Sequence, residues 1–144
     1  MTHIDIGERL SPLREDGVLI VGSGSSFHNF AAFVAPAGSK ERKAGVSASQ
    51  VFDSWLRSTL TDLSTDYAAK RGRLLAWRDD EDDANRSRAC HPEGGDEHFT
   101  PMFVAFGAGK GASAKAVGDL TPQECALEAK GIMGDIKMSN IQWG

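Results

Sequence analysis

Three of the four histidines fall in two short segments. His28 lies in Gly22-Ser-Gly-Ser-Ser-Phe-His28-Asn29, and the other two in His91-Pro-Glu-Gly-Gly-Asp-Glu-His98-Phe-Thr-Pro101. An imidazole titrates near neutral pH and ligates transition metals, so each is a candidate for proton transfer or coordination. His28 projects from a glycine-rich loop, where an acid or base reaches a substrate without steric cover, and Asn29 beside it can orient a polar ligand. His98 has Glu97 and Asp96 next to it, types that supply either a metal ligand or the carboxylate that fixes an imidazole tautomer. His91 is held extended by Pro92 and either shapes its loop or contacts a substrate. His3 precedes an ordinary amphipathic helix without such surroundings and is not expected to coordinate anything.

Two glycine-rich stretches resemble phosphate-binding motifs without matching them. Gly22-Ser-Gly24 follows an apolar run, but Phe27 stands where a dinucleotide fingerprint needs its third glycine. Gly107-Ala-Gly-Lys110-Gly-Ala-Ser113 has the composition of a P-loop in the wrong order. A tight strand-to-loop turn is the better reading of the first, and a small-residue loop of the second.

The elements that must position these residues read as an α/β pattern. Ile6, Leu10 and Leu13 recur at helical spacing, Glu15-Asp16-Gly17 supplies a turn, and Val18-Leu-Ile-Val21 reads as a buried strand delivering His28 from its carboxyl end. Residues 35–46 have a loop composition, and Ser47 reads as the cap of a helix with Val51, Trp55, Leu56, Leu60 and Leu63 on one stripe. A second helix is expected from Asp66 to Trp77. Polar residues 78–88 read as a loop, so that residues 78–90 form a mobile excursion beside the second histidine segment. Thr100-Pro101 starts a short buried helix ending at Gly107, and the partly alternating run Ile132 to Trp143 predicts a terminal strand or hairpin.

Composition bounds the partners. The 144 residues, 40% hydrophobic and 25% charged, suit one globular domain. A net charge of −4 and the run Asp79-Asp80-Glu81-Asp82-Asp83 argue against nucleic acid. No apolar stretch approaches the roughly 18 residues of a membrane helix, and no basic-then-apolar signal opens the chain, so a cytoplasmic protein is expected. Cys90 and Cys125 lack C-x-x-C spacing and read as reduced thiols.

Three ordered blocks carry a family resemblance: Ile6-Gly-Glu-Arg-Leu-Ser-Pro-Leu-Arg14, Gly17-Val-Leu-Ile-Val-Gly-Ser-Gly24 with His28-Asn29, and Glu97-His98-Phe-Thr-Pro-Met-Phe-Val-Ala-Phe-Gly-Ala108. Together the chain resembles the class III extradiol ring-cleavage dioxygenases, on the branch of the DOPA 4,5-dioxygenase-like proteins. The resemblance implies a three-layer α/β/α domain with a mixed central sheet, of which residues 1–144 would form the C-terminal portion. It implies a non-haem Fe(II), or zinc, that opens a catecholic substrate with O₂. By resemblance His98 is a metal ligand, with Glu97 its neighbour or a replacement ligand, His28 the acid/base, and Asn29 and His91 substrate-binding. The spacer between His91-Pro92 and Glu97-His98 is longer than the family's. The family's H-G-S-P-like and S-A-H-W-like stretches, which bring two more metal histidines, do not occur in this sequence. The expectation is therefore an enzyme incomplete or inactive alone, self-associating or completed by a partner chain; the alternatives are a non-catalytic, partner-binding remnant and, less well supported, a nucleotide-binding module using Gly22 to Gly24.

Overall fold

The computed structural model describes residues 1–79, 84–110, 112, 114–116, 135–139 and 141–143. Helix α1 (His3–Leu10) starts where Thr2 and Asp5 cap each other reciprocally, and it continues into a 3₁₀ turn, Ser11–Arg14. Gly17 then takes a positive φ of 77° and reverses the chain. Helix α2 (Phe30–Val34) is capped by Asn29, α3 (Lys40–Thr61) by Ser39 and α4 (Tyr67–Leu75) by Asp66. Two short helices close the helical part, α5 (Ser87–Cys90) and α6 (Thr100–Ala108). Strands β1 (Ala114–Ala116) and β2 (Ile141–Trp143) pair antiparallel, with Lys115 opposite Gln142.

The core is aromatic. Phe52, Leu56 and Leu60 of α3 face Leu74, Trp77, Phe99, Phe103 and Phe106, all of them buried. Phe99 sits 4.9 Å from Trp77 and 5.2 Å from Phe52 between ring centroids, so the residue following His98 anchors its segment in this cluster. Helix α1 lies on α6, backbone against backbone, where Gly7 meets Gly107. Arg42 ties α2 and α3 together by donating to the carbonyls of Ala32 and Phe33 at 3.2 and 3.0 Å.

Several expectations are corrected. Residues 18–21 form no strand: Leu19 and Val21 are 84% and 75% exposed, and among the described residues no neighbouring strand pairs with them. A strand is defined by its ladder, and an apolar run without a partner stays irregular. The described residues combine helices with a single two-stranded antiparallel pair, so both element types are present but the central sheet of a three-layer sandwich is not among them. Helix α3 begins at Lys40, not at Ser47, because the Ser39 hydroxyl caps it by accepting from the Arg42 amide at 3.1 Å; Gly45 within it packs where a Cβ would lie 2.4 Å from that of Ala32. Within the expected loop, Asn85, Ser87 and Cys90 are buried and α5 forms, while residues 80–83 lie outside the described residues. Cys125 and residues 132–134 of the expected hairpin lie outside them too.

Candidate functional site

Local bonds fix His28 from both sides. Phe27 is fully buried, the Ser25 hydroxyl donates to the Phe27 carbonyl at 2.6 Å, and the His28 amide donates to the Cys90 carbonyl at 2.8 Å. Asn29 follows as the cap of α2, its Oδ1 accepting from the Ala32 amide at 3.1 Å and its Nδ2 donating to the Ala89 carbonyl at 2.8 Å. Each end of the Asn29 amide thus makes one bond within the fold.

The second segment folds back onto the first. The amides of Phe99 and Thr100 donate to the Asp96 carbonyl at 2.9 and 3.1 Å, starting α6, and the Ser25 amide donates to the His98 carbonyl at 2.7 Å. The Asp96 carboxylate is paired with Arg78, so of the two acids beside His98 only Glu97 faces the histidines.

The result brings His28, Glu97 and His98 together. The two rings stack with centroids 4.0 Å apart and planes 24° from parallel. Glu97 Oε1 is 3.9 Å from His28 Nδ1 and 3.8 Å from His98 Nε2, and one ligand atom from each residue lies within 4.8 Å of the others. His28 is shielded, its side chain 13% exposed, while His98 and Glu97 are 50% and 60% exposed. Donors around a first-row divalent ion sit about 2.0–2.2 Å from it and therefore closer together than here. The exposed Glu97 and His98 side chains have room to close in, whereas His28 is held.

His91 is placed elsewhere. It is fully buried against Phe52, Trp77 and Phe99, with Nδ1 3.1 Å from the Gly95 carbonyl and Nε2 3.0 Å from the Ser26 carbonyl. Burial pushes its imidazole below the usual histidine range, against the opposite pull of the two carbonyls. Both ring nitrogens face backbone carbonyls within the core, and His91 is not among the residues that line the neighbouring groove. His3 is exposed at the start of α1.

A groove of about 400 Å³ adjoins the site, lined by Leu19 to Val21, Phe99, Met102 and Trp143 among others. His98 contributes to its lining, as do Arg14, Ser26 and Gln142. The Ser26 hydroxyl is buried and has no hydrogen-bond partner among the described residues. Sequence reasoning missed Arg14, Ser26 and Gln142. Only Ser26 carried a signal, as a small polar residue two positions before His28.

No family model and no solved structure matches the chain. It is similar to characterised plant and fungal proteins: 36% identical to a 4,5-DOPA dioxygenase extradiol of Beta vulgaris over 79% of this chain and 36% of that protein, and 31% identical to its Portulaca grandiflora namesake over the same shares. A dioxygenase of Hapsidospora irregularis is 35% identical over 74% of this chain and 32% of its own length. The chain thus spans about a third of the curated relatives it matches.

Proposed function

Because the chain is a partial relative of the class III extradiol dioxygenases, we propose that it supplies the proton-transfer side and one metal-holding side of a ring-cleaving site acting on a catecholic substrate with O₂. The observation that carries this reading is the stacking of His28 on His98 with Glu97 against both. One half-exposed imidazole at the groove, a neighbouring carboxylate and a second, shielded imidazole fit a divalent non-haem Fe(II), or zinc, as a donor set. His98 would hold the ion, with Glu97 as neighbour or additional ligand. When bound, such an ion binds the catecholate diol and supplies the place at which O₂ meets it.

The chain's own residues do the rest. His28, with Nδ1 turned to Glu97, takes the proton of a catechol hydroxyl at Nε2 and returns it as the ring opens. Phe99 and Met102 offer apolar lining for a ring, and Arg14 and Gln142 offer polar groups in the same groove. The substrate is a catechol of DOPA size, by likeness to the relatives' names.

Two further histidine ligands are expected of the family and absent from this sequence. The site is therefore completed by further polypeptide that carries them, whether in the same protein or in a partner chain. The exposed Leu19 and Val21 favour that completion, since unpaired apolar backbone is what an added strand covers. A non-catalytic module that binds small aromatics is the second reading, favoured by the groove standing open without those ligands.

The test combines anaerobic Fe(II) and Zn(II) titration with catechol binding and O₂ uptake, on this chain and on the longer polypeptide completing it. Metal and catechol binding that both weaken in His98→Ala, with O₂ uptake only in the completed form, is the expected result. Catechol binding unaffected by metal and by His98→Ala would favour the non-catalytic module, and no catechol binding in either form would overturn both readings.

A further inference from the structure

The two loops that carry His28 and Glu97-His98 come from distant parts of the chain, and one buried side chain lies between them. The His91 ring places Nε2 3.0 Å from the carbonyl of Ser26, two residues before His28, and Nδ1 3.1 Å from the carbonyl of Gly95, two residues before Glu97. The ring is fully buried and wedged against Phe52 at 5.4 Å, Trp77 at 5.4 Å and Phe99 at 5.1 Å between centroids. Its backbone is held as well, the amide donating to the Ser87 carbonyl at 2.7 Å and the carbonyl accepting from Arg78 at 2.7 Å. A flat, rigid ring with polar atoms on two edges cannot adapt to a changed spacing as a flexible side chain can. We infer that His91 is a positioning residue, which sets the separation of the His28 and His98 rings by bracing the Ser26 and Gly95 carbonyls against the aromatic core.

Both partners are acceptors, so a neutral ring donates its single N–H to one carbonyl and turns its unprotonated nitrogen toward the other, which it meets as a steric stop without a hydrogen bond. The ring thus bonds one loop and spaces the other, wedged as it is against the aromatic core. This bracing explains a buried imidazole that touches no groove. An aliphatic or phenyl side chain would fill the same volume without seating either carbonyl, leaving one more buried polar group unmet.

The inference rests on His28 and His98 forming one site, but its test uses neither metal nor substrate, so failure of the dioxygenase reading leaves the outcome unchanged. NMR of the full chain with labelled histidines is expected to show a His91 ring N–H protected from exchange and cross-relaxation between the His28 and His98 rings. In His91→Phe the inter-ring cross-relaxation should be lost while the helical circular dichroism remains, and His91→Gln, which keeps a donor at the same depth, should restore it at least in part. Inter-ring cross-relaxation of wild-type strength in folded His91→Phe would overturn the inference, as would its loss in both variants. Should His91→Phe fail to fold, the wild-type ring N–H decides: protection sustains the brace, and exchange at the rate of an exposed imidazole refutes it.

Discussion

A methyl group on Gly24 would stand 2.0 Å from the carbonyl oxygen of His98. The glycine that looked like part of a phosphate loop is there because the backbone of the His28 segment runs directly against the backbone of the metal-ligand candidate. Gly24→Ala must push the two apart and strain the hydrogen bond from the Ser25 amide to His98. Overpacking of this kind costs roughly 1–3 kcal/mol. We expect a lowered midpoint in thermal unfolding and weaker metal retention, whereas alanine at Gly38, where a Cβ meets nothing but φ is 80°, should cost stability alone.

In any complete assembly with dioxygenase activity, His98→Ala and His28→Ala should separate. The first removes the proposed ligand at the groove and should abolish metal retention. The second should keep the metal and lower turnover by about 10² to 10⁴, the usual worth of a general acid or base. Metal content by elemental analysis beside steady-state rates checks this, and equal metal loss in both variants would make His28 a ligand instead.

How much of this was legible in sequence depends on range. The helices α1, α4 and α6 follow from the spacing of Ile6 and Leu10, from Asp66 and from Thr100-Pro101, all signals local to the element they mark. The pairing of His28 with His98 was readable only through the family resemblance, because the contact joins residues about half the chain apart. The role of His91 was not readable, since the Ser26 carbonyl that engages it lies 65 residues away and carbonyls carry no residue identity. Residues 18–21 have a strand's composition, and what decides their state is whether another strand lies beside them.

The buried His91 also gives folding a pH dependence. Its folded pKa is lowered by burial from the ordinary 6.5, so below that pH the unfolded chain binds a proton that the folded chain does not. The sign is therefore stability that is full above about pH 6.5 and declines as pH falls toward the folded value, by up to about 1.4 kcal/mol per pH unit for one group. Urea unfolding of the wild type between pH 7.5 and 5.5 should show this decline, and His91→Gln should flatten it. A slope unchanged in the variant would assign it to other groups.

Asp5 makes the opposite end of the pH scale informative. The Thr2 backbone amide, 2.6 Å from its Oδ2, and the Arg71 guanidinium, 2.6 Å from its Oδ1, hold its carboxyl down from 3.8 to about 2. A carboxylate with a depressed folded pKa stabilises the protein above its unfolded value, and that contribution is lost as pH falls from about 3.8 through 2. Asp5 closes the capping box of α1 and joins that helix to α4 through Arg71, so its charge acts on the helix that packs against α6 just behind His98. Asp5→Asn should therefore lower the unfolding midpoint at pH 7, and the gap from wild type should narrow as both are titrated toward pH 2. Thr2→Ala removes the hydroxyl that receives the Asp5 amide and should cost about 1 kcal/mol at neutral pH by the same measurement. If the Asp5→Asn gap stays constant from pH 7 to pH 2, the side chain acts through its shape and hydrogen bonds and not through its charge.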